Sequence, residues 1–399
     1  MLKECYITYA RRTAIGKLAG SLAPVRVDDL LAHVLSDLKD NLNFDPSLID
    51  DVIIGCANQA GEDNRNIARM STLLAGLPFD VPATTINRLC GSSLDATMDA
   101  VGRINAGFGD AFIVGGVEGM SRAPYVMSKS ESAFGGSQKI FNSTLGWRFP
   151  NNKMKEMFPL YQMGETAEEV ASLHNISRED QDLFAFNSHQ KAINAIESGK
   201  FKDEIIPIEV KLKKTSYVFD TDECPRKDTS LEKLATLRAV FREGGSVTAG
   251  NSSSLNDGAS ALLIVSKEFL SKHKLTPLAR ISGAAVRGRH PNTMGLGPVQ
   301  ATQRLCRMFD KKVSDFDIIE LNEAFSAQSL GCIKELELDP NKININGGAI
   351  ALGHPLGCSG ARILTTLVHS MKKDKNLKQG LATMCIGVGQ GIALSIENC

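Results

Sequence analysis

The strongest constraint on this chain's fold is a repeating alternation. Short runs rich in β-branched residues end in Gly or Asn, and longer stretches with helical spacing follow them. The strand-like runs are DDVIIG, ATTIN, DAFIVGG, ALLIV, DIIELN, KININGG and LATMCIG. Near-continuous apolar runs of this kind belong to strands covered on both faces, so the pattern predicts an α/β architecture with largely parallel, doubly covered sheets. The order also occurs twice. LIDDVIIGCANQ, the strand and helix around Cys90, and DAFIVGGVEGMS have counterparts in VSDFDIIELNEA, KININGGAIALGHPLGCSGARIL and LATMCIGVGQG. Asp51 precedes Cys90 by nearly the spacing at which Asp317 precedes His354, which points to duplication. At 399 residues the chain is long enough to bury such a doubled core.

Between the halves the texture changes. Residues 121–246 hold the single Trp, scattered Pro and Gly, and charged segments such as KLKK at 211–214. Within them SREDQDLFAFNSHQKAINAIESG reads as a capped helix, with Ser177 and Asp180 as a loose capping box and Gly199 as its stop. The stretch carries its own apolar periodicity, so it reads as an inserted domain and not as a linker. The expected division is residues 1–120 with 247–270 for the first half, 121–246 for the insertion, and 271–399 for the second half.

Composition excludes several classes of function. Lys+Arg and Asp+Glu both number 45, so no global field recruits nucleic acid or a membrane surface, and an anionic ligand must meet a local patch. No apolar run is long enough to cross a bilayer. The opening MLKECYITYARRTAIGK lacks an apolar core and a small-residue cleavage site, so no export signal is expected. Nine cysteines with no C-x-x-C pair argue against a zinc ribbon and a disulfide framework, and favour free thiols in a reducing cytoplasm.

NRLCGSSLDATMDAVG places Cys90 where a strand hands over to a helix. A helix N-terminus offers free N–H groups and partial positive charge, which lower a thiol's pKa and can hold an oxyanion. A free cysteine titrates near about 8.5, so a base is still needed at neutral pH. A lone cysteine is more often a small buried hydrophobe, and no histidine lies near this one in sequence. NGGAIALGHPLGCSGARIL shifts the balance by surrounding His354 with Gly347, Gly348, Gly353, Gly357 and Gly360. Such glycine density implies positive φ angles or close approach to a ligand. Neither G-x-G-x-x-G nor a P-loop lysine is present, so His354 reads as a general base held by loop geometry. The other six histidines read as surface or packing residues. LATMCIGVGQGIA ends a strand in a second thiol, Cys385, and in ELNEAFSAQ a strand ends at Asn322 and Glu323. Asn322 is balanced between a turn former and an oriented site group. The small polar residues of SVTAGNSSSLNDGASALLIV would let a thioester chain pass against backbone.

NRLCGSSLDA, NEAFSAQ, GGAIALGHPLGCSGAR and CIGVGQG, in this order, resemble the motif set of the thiolases (acetyl-CoA C-acyltransferases). VTAGNSSSLNDGA and MGETAEEVA are similar to that family's thioester-binding segments, and the likeness runs nearly end to end. The resemblance implies a duplicated, five-layered α/β/α/β/α fold with an inserted loop domain, in a homodimer or homotetramer. It implies coenzyme A and acyl-CoA as substrates, with no permanently bound cofactor and no metal. The implied reaction is reversible CoA-dependent cleavage of a 3-oxoacyl-CoA to acetyl-CoA and a shortened acyl-CoA, or the reverse Claisen condensation. Carried over by motif, Cys90 takes the acyl group, His354 deprotonates it, and Cys385 moves the α-proton of acetyl-CoA. Asn322 positions a water that forms one oxyanion hole with His354, and the N–H groups of Cys90 and Gly387 form the other. Ser253 and Arg226 match positions that contact pantetheine and adenine, and Met163 falls in the second thioester-binding segment.

Within the family, GCANQAGEDNRNIARM and TLGWRFPNNKM are most similar to β-ketoadipyl-CoA thiolases, which act on a carboxylated chain. YQMGETAE is closer to the acetoacetyl-CoA and 3-ketoacyl-CoA pattern, and Ser93 replaces a glycine of the cysteine motif. Both departures are expected to border the substrate. Arg148 is weighed as a partner for a distal carboxylate against an ordinary surface arginine, which is the commoner case. Cys358 reads as a small packing residue. One rival is a ketoacyl synthase with Cys-His-His or Cys-His-Asn, where this chain has Cys385 in the place of a second histidine. The other is a silent acyl-CoA-binding scaffold, which intact motifs disfavour.

Overall fold

The computed structural model describes residues 3–136 and 138–399. Across the main sheet the strands run Ala83–Ile86, Asp51–Gly55, Ala111–Gly119, Asn256–Ser266 and Cys5–Thr13 for the first half. Ala279–Gly288, Gln390–Asn398, Gln379–Ile386 and Ile318–Leu321 follow for the second. The halves meet along a short antiparallel ladder of Cys5–Ile7 with Ala279–Ile281.

The expectation of largely parallel strands is corrected. Asp51–Gly55 runs parallel to both its neighbours, and Ile318–Leu321 runs parallel to Gln379–Ile386, but the strands between these ends of the sheet pair antiparallel. The long strand Asn256–Ser266 shows why the sequence misled. It is buried at every position, with Ala259, Ala261, Leu263 and Val265 entering one apolar core and Leu262 and Ile264 another. An unbroken apolar run reports two covered faces and says nothing of strand direction.

The five layers follow from where the helices pack. Ser92–Ala106 and Leu356–Lys373 lie against each other between the strands of the two halves, sharing a core with Leu94, Ile104, Leu364, Leu367, Val114 and Ile392. Val27–Asp40 and Ile67–Leu74 cover the outer face of the first half, and Gly297–Met308 and Ser326–Leu336 that of the second. The region between the halves supplies the helices Met163–His174 and Arg178–Glu197 and two small antiparallel hairpins. The Ser177–Asp180 capping box is present, and Gly199 stops the helix at a φ of +70°.

KININGG, expected as a strand, makes a single parallel bridge, Ile343 to Ile319, and then turns. Asn344 adopts a φ of +46°, and its side-chain amide takes the position a neighbouring backbone would fill. Its Oδ1 accepts the Leu321 N–H at 2.9 Å and its Nδ2 donates to the Leu321 carbonyl at 2.8 Å. Strand ends then set the site. Ile86, Leu321 and Ile386 close three strands at one end of the molecule, and the loops after them carry Cys90, Asn322 and Gly387. Open α/β sheets commonly place ligands at such carboxyl ends.

Candidate active site

The turn carrying Cys90 is held by local polar bonds. Asn87 Oδ1 accepts the Leu89 N–H at 2.8 Å, which turns Leu89 into the left-handed region at a φ of +48°. Ser92 Oγ donates to the Leu89 carbonyl at 2.6 Å and accepts the Arg88 N–H at 2.9 Å. Cys90 thus stands two residues before the helix Ser92–Ala106. The expected drop in its pKa does not occur. Burial pushes the thiol up to about 11, and the N–H groups of Gly387 and of Cys90 itself offset that only in part. Loss of water around the sulfur outweighs the field of the helix end.

His354 sits on a second turn, buried, with its N–H donated to Asn256 Oδ1 at 2.8 Å. Gly353 makes this turn possible. Its φ is +106°, and a Cβ there would meet the Asn256 amide at 2.5 Å. Nδ1 of His354 lies 2.6 Å from Ser359 Oγ, whose own hydroxyl donates to the Pro355 carbonyl at 2.8 Å. With its proton committed, Ser359 Oγ can only accept, so Nδ1 carries the ring's hydrogen and Nε2 keeps a free lone pair. Burial, and then the nearby Arg362 cation, lower the His354 pKa to about 3. The ring is therefore an uncharged proton acceptor at neutral pH.

The two turns adjoin because their helices do. Ser93 Oγ accepts the Ala361 N–H at 2.8 Å, and a Cβ on Gly360 would meet the Leu94 nitrogen at 2.6 Å. Ser93 is fully buried in that contact, so this departure from the cysteine motif lies between helices and not against substrate. Cys358 is likewise buried, with its thiol pushed up to about 12 by burial.

Cys385 is buried beside Cys90. Burial and then the Cys90 thiol raise its pKa well above the ordinary range. Gly387 begins the turn that follows, with Leu89 and Met163 within reach of its α-carbon face. Asn322 is buried, and neither atom of its side-chain amide meets a protein partner. Leaving such a group without a water or ligand is costly, and a turn former would instead bond its own backbone. Its neighbour Glu323 is fully engaged with Ser188, Asn344 and the Ile350 N–H.

Two clefts lie beside this region, lined by residues next to its loops and not by its thiols or His354. One, of about 420 Å³, is lined by Lys17, His189, Cys224, Arg226, Ser252 and Ser254 among others. Ser253 lies between the two serines, with its N–H on the Ala324 carbonyl at 3.0 Å. The other is a narrow groove lined by Trp147, Phe158, Tyr161, Met163, Pro291 and Val388 among others. Sequence reading missed His189, whose Nδ1 accepts the Arg226 N–H at 3.2 Å, and Asn256, Ser359 and Glu118. Glu118 is buried, with a carboxyl raised to about 7 by burial, and accepts N–H groups of Ala57, Asn58 and Gly357. It forms with Cys56 and Asp63 a grouping of metal-ligand types, but its oxygens are committed to those backbone donors. Arg148, expected on the surface, is half-buried and bonded to Asn58 and Ser143.

Residues 5–268 match the family model "Thiolase, N-terminal domain", and residues 275–398 match "Thiolase, C-terminal domain". The chain is 52% identical over 400 residues to the β-ketoadipyl-CoA thiolase of Pseudomonas aeruginosa, covering 100% of both. It is also 52% identical to the 3-oxoadipyl-CoA/3-oxo-5,6-dehydrosuberyl-CoA thiolase of Escherichia coli, covering 99% of this chain and 100% of that one. The crystal structure of human mitochondrial 3-ketoacyl-CoA thiolase in complex with CoA superposes with a TM-score of 0.92 at 38% identity, covering 100% of this chain and 98% of that one.

Proposed function

The chain belongs to the thiolase family and is an acyltransferase on CoA thioesters, and from that premise we propose how its loops divide the cleavage of a 3-oxoacyl-CoA. As the Cys90 sulfur attacks the C3 carbonyl, its thiol proton passes to Nε2 of His354. The oxygen that gathers charge is met by the N–H groups of Cys90 and Gly387, donors worth about 3 kcal/mol each in such holes. The C2–C3 bond then breaks, leaving an acyl thioester on Cys90 and the enolate of acetyl-CoA. Asn322, through a water, and His354 hold the enolate oxygen, while the Cys385 thiol gives C2 its proton. Free CoA next surrenders its thiol proton to the Cys385 thiolate and attacks the acyl-Cys90. The Cys90 thiolate is released and recovers its proton from His354, so every proton is accounted for. Condensation is the same path reversed.

The observation that carries this reading is the meeting of three loops: the Gly387 N–H and the Cys385 thiol of one both act on the Cys90 thiol of the second, and Ser93, three residues after Cys90, bonds the Ala361 N–H of the helix that follows His354 in the third. Uncharged partners suit it, because a thiol near 11 and an imidazole near 3 exchange the proton only as attack proceeds. Labelling with radioactive acetyl-CoA tests it. Cys90→Ala takes up no label, whereas Cys385→Ala is labelled but does not exchange the α-protons of acetyl-CoA. Normal exchange in the second variant would break the division of labour.

The substrates for which the bacterial relatives are named favour an acyl chain with a terminal carboxylate for this chain too. Coenzyme A enters and leaves as a substrate, with Arg226, Ser252 and Ser254 along its cleft, near Ser253, and Met163 beside the acyl end. No resident cofactor is required by the steps above. A homo-oligomer fits the open, half-exposed edge strand Ala83–Ile86 and the hairpin that exposes Tyr125, Met127 and Ile140. The balanced charge and free thiols fit a cytoplasmic setting. The three-part division of the chain at residues 120, 246 and 270 fits the return of the strand Asn256–Ser266 to the first half's sheet.

A further inference from the structure

The two segments most similar to β-ketoadipyl-CoA thiolases are far apart in sequence, yet one side chain joins them. Arg148 of TLGWRFP donates from Nη1 to Asn58 Oδ1 at 2.7 Å and to the Ser143 carbonyl at 3.1 Å, and from Nη2 to the Asn58 carbonyl at 3.3 Å. Asn58 thus takes the end of the guanidinium with both its oxygens. What remains is the Nε–H and the second Nη2–H, which lie side by side on the other edge. That edge is the fork that grips a carboxylate with two parallel bonds. All three partners are neutral, and among the described residues no acidic side chain pairs with Arg148.

Three other guanidinium groups near the groove are engaged elsewhere. Arg88 pairs with Asp95 and bonds Gln390, and Arg122 pairs with Glu62. Arg289 uses Nε, half of its own fork, on Thr293. The position of Arg148 also fits. Ala57, next to Asn58, holds the Asn87 amide through its carbonyl at 3.0 Å, three residues ahead of Cys90. Trp147, beside Arg148, lines the narrow groove with Met163 and Val388, the latter adjoining Gly387.

We propose that the free edge of Arg148 is the subsite for a carboxylate at the far end of the acyl chain, presented by Asn58 and Ser143, and that it selects dicarboxylic 3-oxoacyl-CoA substrates. The inference rests on the thiolase mechanism proposed above. Cleavage of a six-carbon substrate of this class leaves a four-carbon acyl group on Cys90 with its carboxylate at the other end, and the fork binds it there. Groove walls of Trp147, Met163 and Val388 would otherwise favour an uncharged chain.

The test compares kcat/KM for β-ketoadipyl-, acetoacetyl- and 3-ketohexanoyl-CoA. Arg148→Met is expected to lose on the order of a hundredfold on the first substrate and less than about threefold on the other two, with Arg148→Lys in between, since it keeps the charge without the fork. Equal losses on all three substrates would overturn the assignment and leave Arg148 a structural tie. The unaltered protein gives an independent reading: Cys90 must be acylated faster by succinyl-CoA than by butyryl-CoA, and equal rates would also overturn it. Failure to cleave any 3-ketoacyl-CoA would instead defeat the underlying mechanism.

Discussion

In the mechanism proposed above, two residues that hold no substrate suit His354 to act as a base. Ser359 fixes which nitrogen carries the hydrogen, and Arg362 adds a cation that the protonated ring would have to face. Ser359→Ala is expected to lower kcat about tenfold to a hundredfold with KM little changed, the cost of one hydrogen bond to a ring that becomes charged during turnover. A fall in KM alone would count against it. The Arg362 effect is read by pH. A group whose pKa is lowered to about 3 stays uncharged across the working range, so the acid limb of Cys90 alkylation by iodoacetamide should be absent down to low pH. Arg362→Met removes the second of the two causes and should bring that limb upward by about one pH unit, while Arg362→Lys leaves it in place. An unmoved limb in a folded Arg362→Met variant would dismiss the cation. None of this was legible beforehand. The glycines around His354 announced a special turn, and the thiols at 90 and 385 stood in matching loops. A serine in the first turn of a helix and a buried arginine have no local pattern, and their meaning comes from contacts that only folding makes.

At the level of turns, the loops that bring the groups together are strained. Leu89 and Val388 lie at φ values of +48° and +63°, and Val388 is β-branched, the side chain least suited to that region. It occupies the turn that aims the Gly387 N–H at Cys90, where strain is commonly stored. Val388→Asn should relieve about 1 kcal/mol, since asparagine adopts the left-handed region readily, and the gain would appear as a higher urea midpoint. An unchanged or lower midpoint would mean that the groove contacts of Val388 outweigh its strain. Elements of this kind define the limit of sequence reading. The capped helix Arg178–Glu197 was legible because its start and stop signals are local. The KININGG turn was not, because its apolar alternation is that of a strand, and only the distant Leu321 backbone reveals that the Asn344 side chain fills the strand's place.

Duplication was visible in the order of motifs, and it explains why the proposed base and nucleophile come from opposite ends of the chain. The charges sealed between the halves were not visible, since equal totals of acidic and basic residues say nothing of where they meet. Arg12 is closed off there by Glu204 and Asp222, each at 2.7 Å. Arg362 is not. Its three guanidinium nitrogens meet no hydrogen-bond partner, and Glu320 Oε2 stands 3.6 Å from Nη1. Burial pushes the Glu320 carboxyl up to about 8 against the pull of Arg362, with Glu204 and Glu323 adding to the rise and Lys191 opposing it. A protonated Glu320 leaves the Arg362 cation without an ionic partner at 3.6 Å. The consequence for stability has a definite sign. Between the unfolded value near 4.5 and the folded value near 8, the folded chain holds a proton that the unfolded chain has lost. Stability from this residue must then fall as pH rises through that window, by about 1.4 kcal/mol per unit, and level off above it. Glutamine has the shape of the protonated carboxyl and cannot ionise. Glu320→Gln should match the native protein near pH 5 and gain on it steadily toward pH 8, while the slope contributed by Glu118 persists in both. Unfolding curves at four pH values would decide it: parallel stability profiles for the two proteins would mean that Glu320 is ionised inside the fold and that Arg362 is neutralised after all.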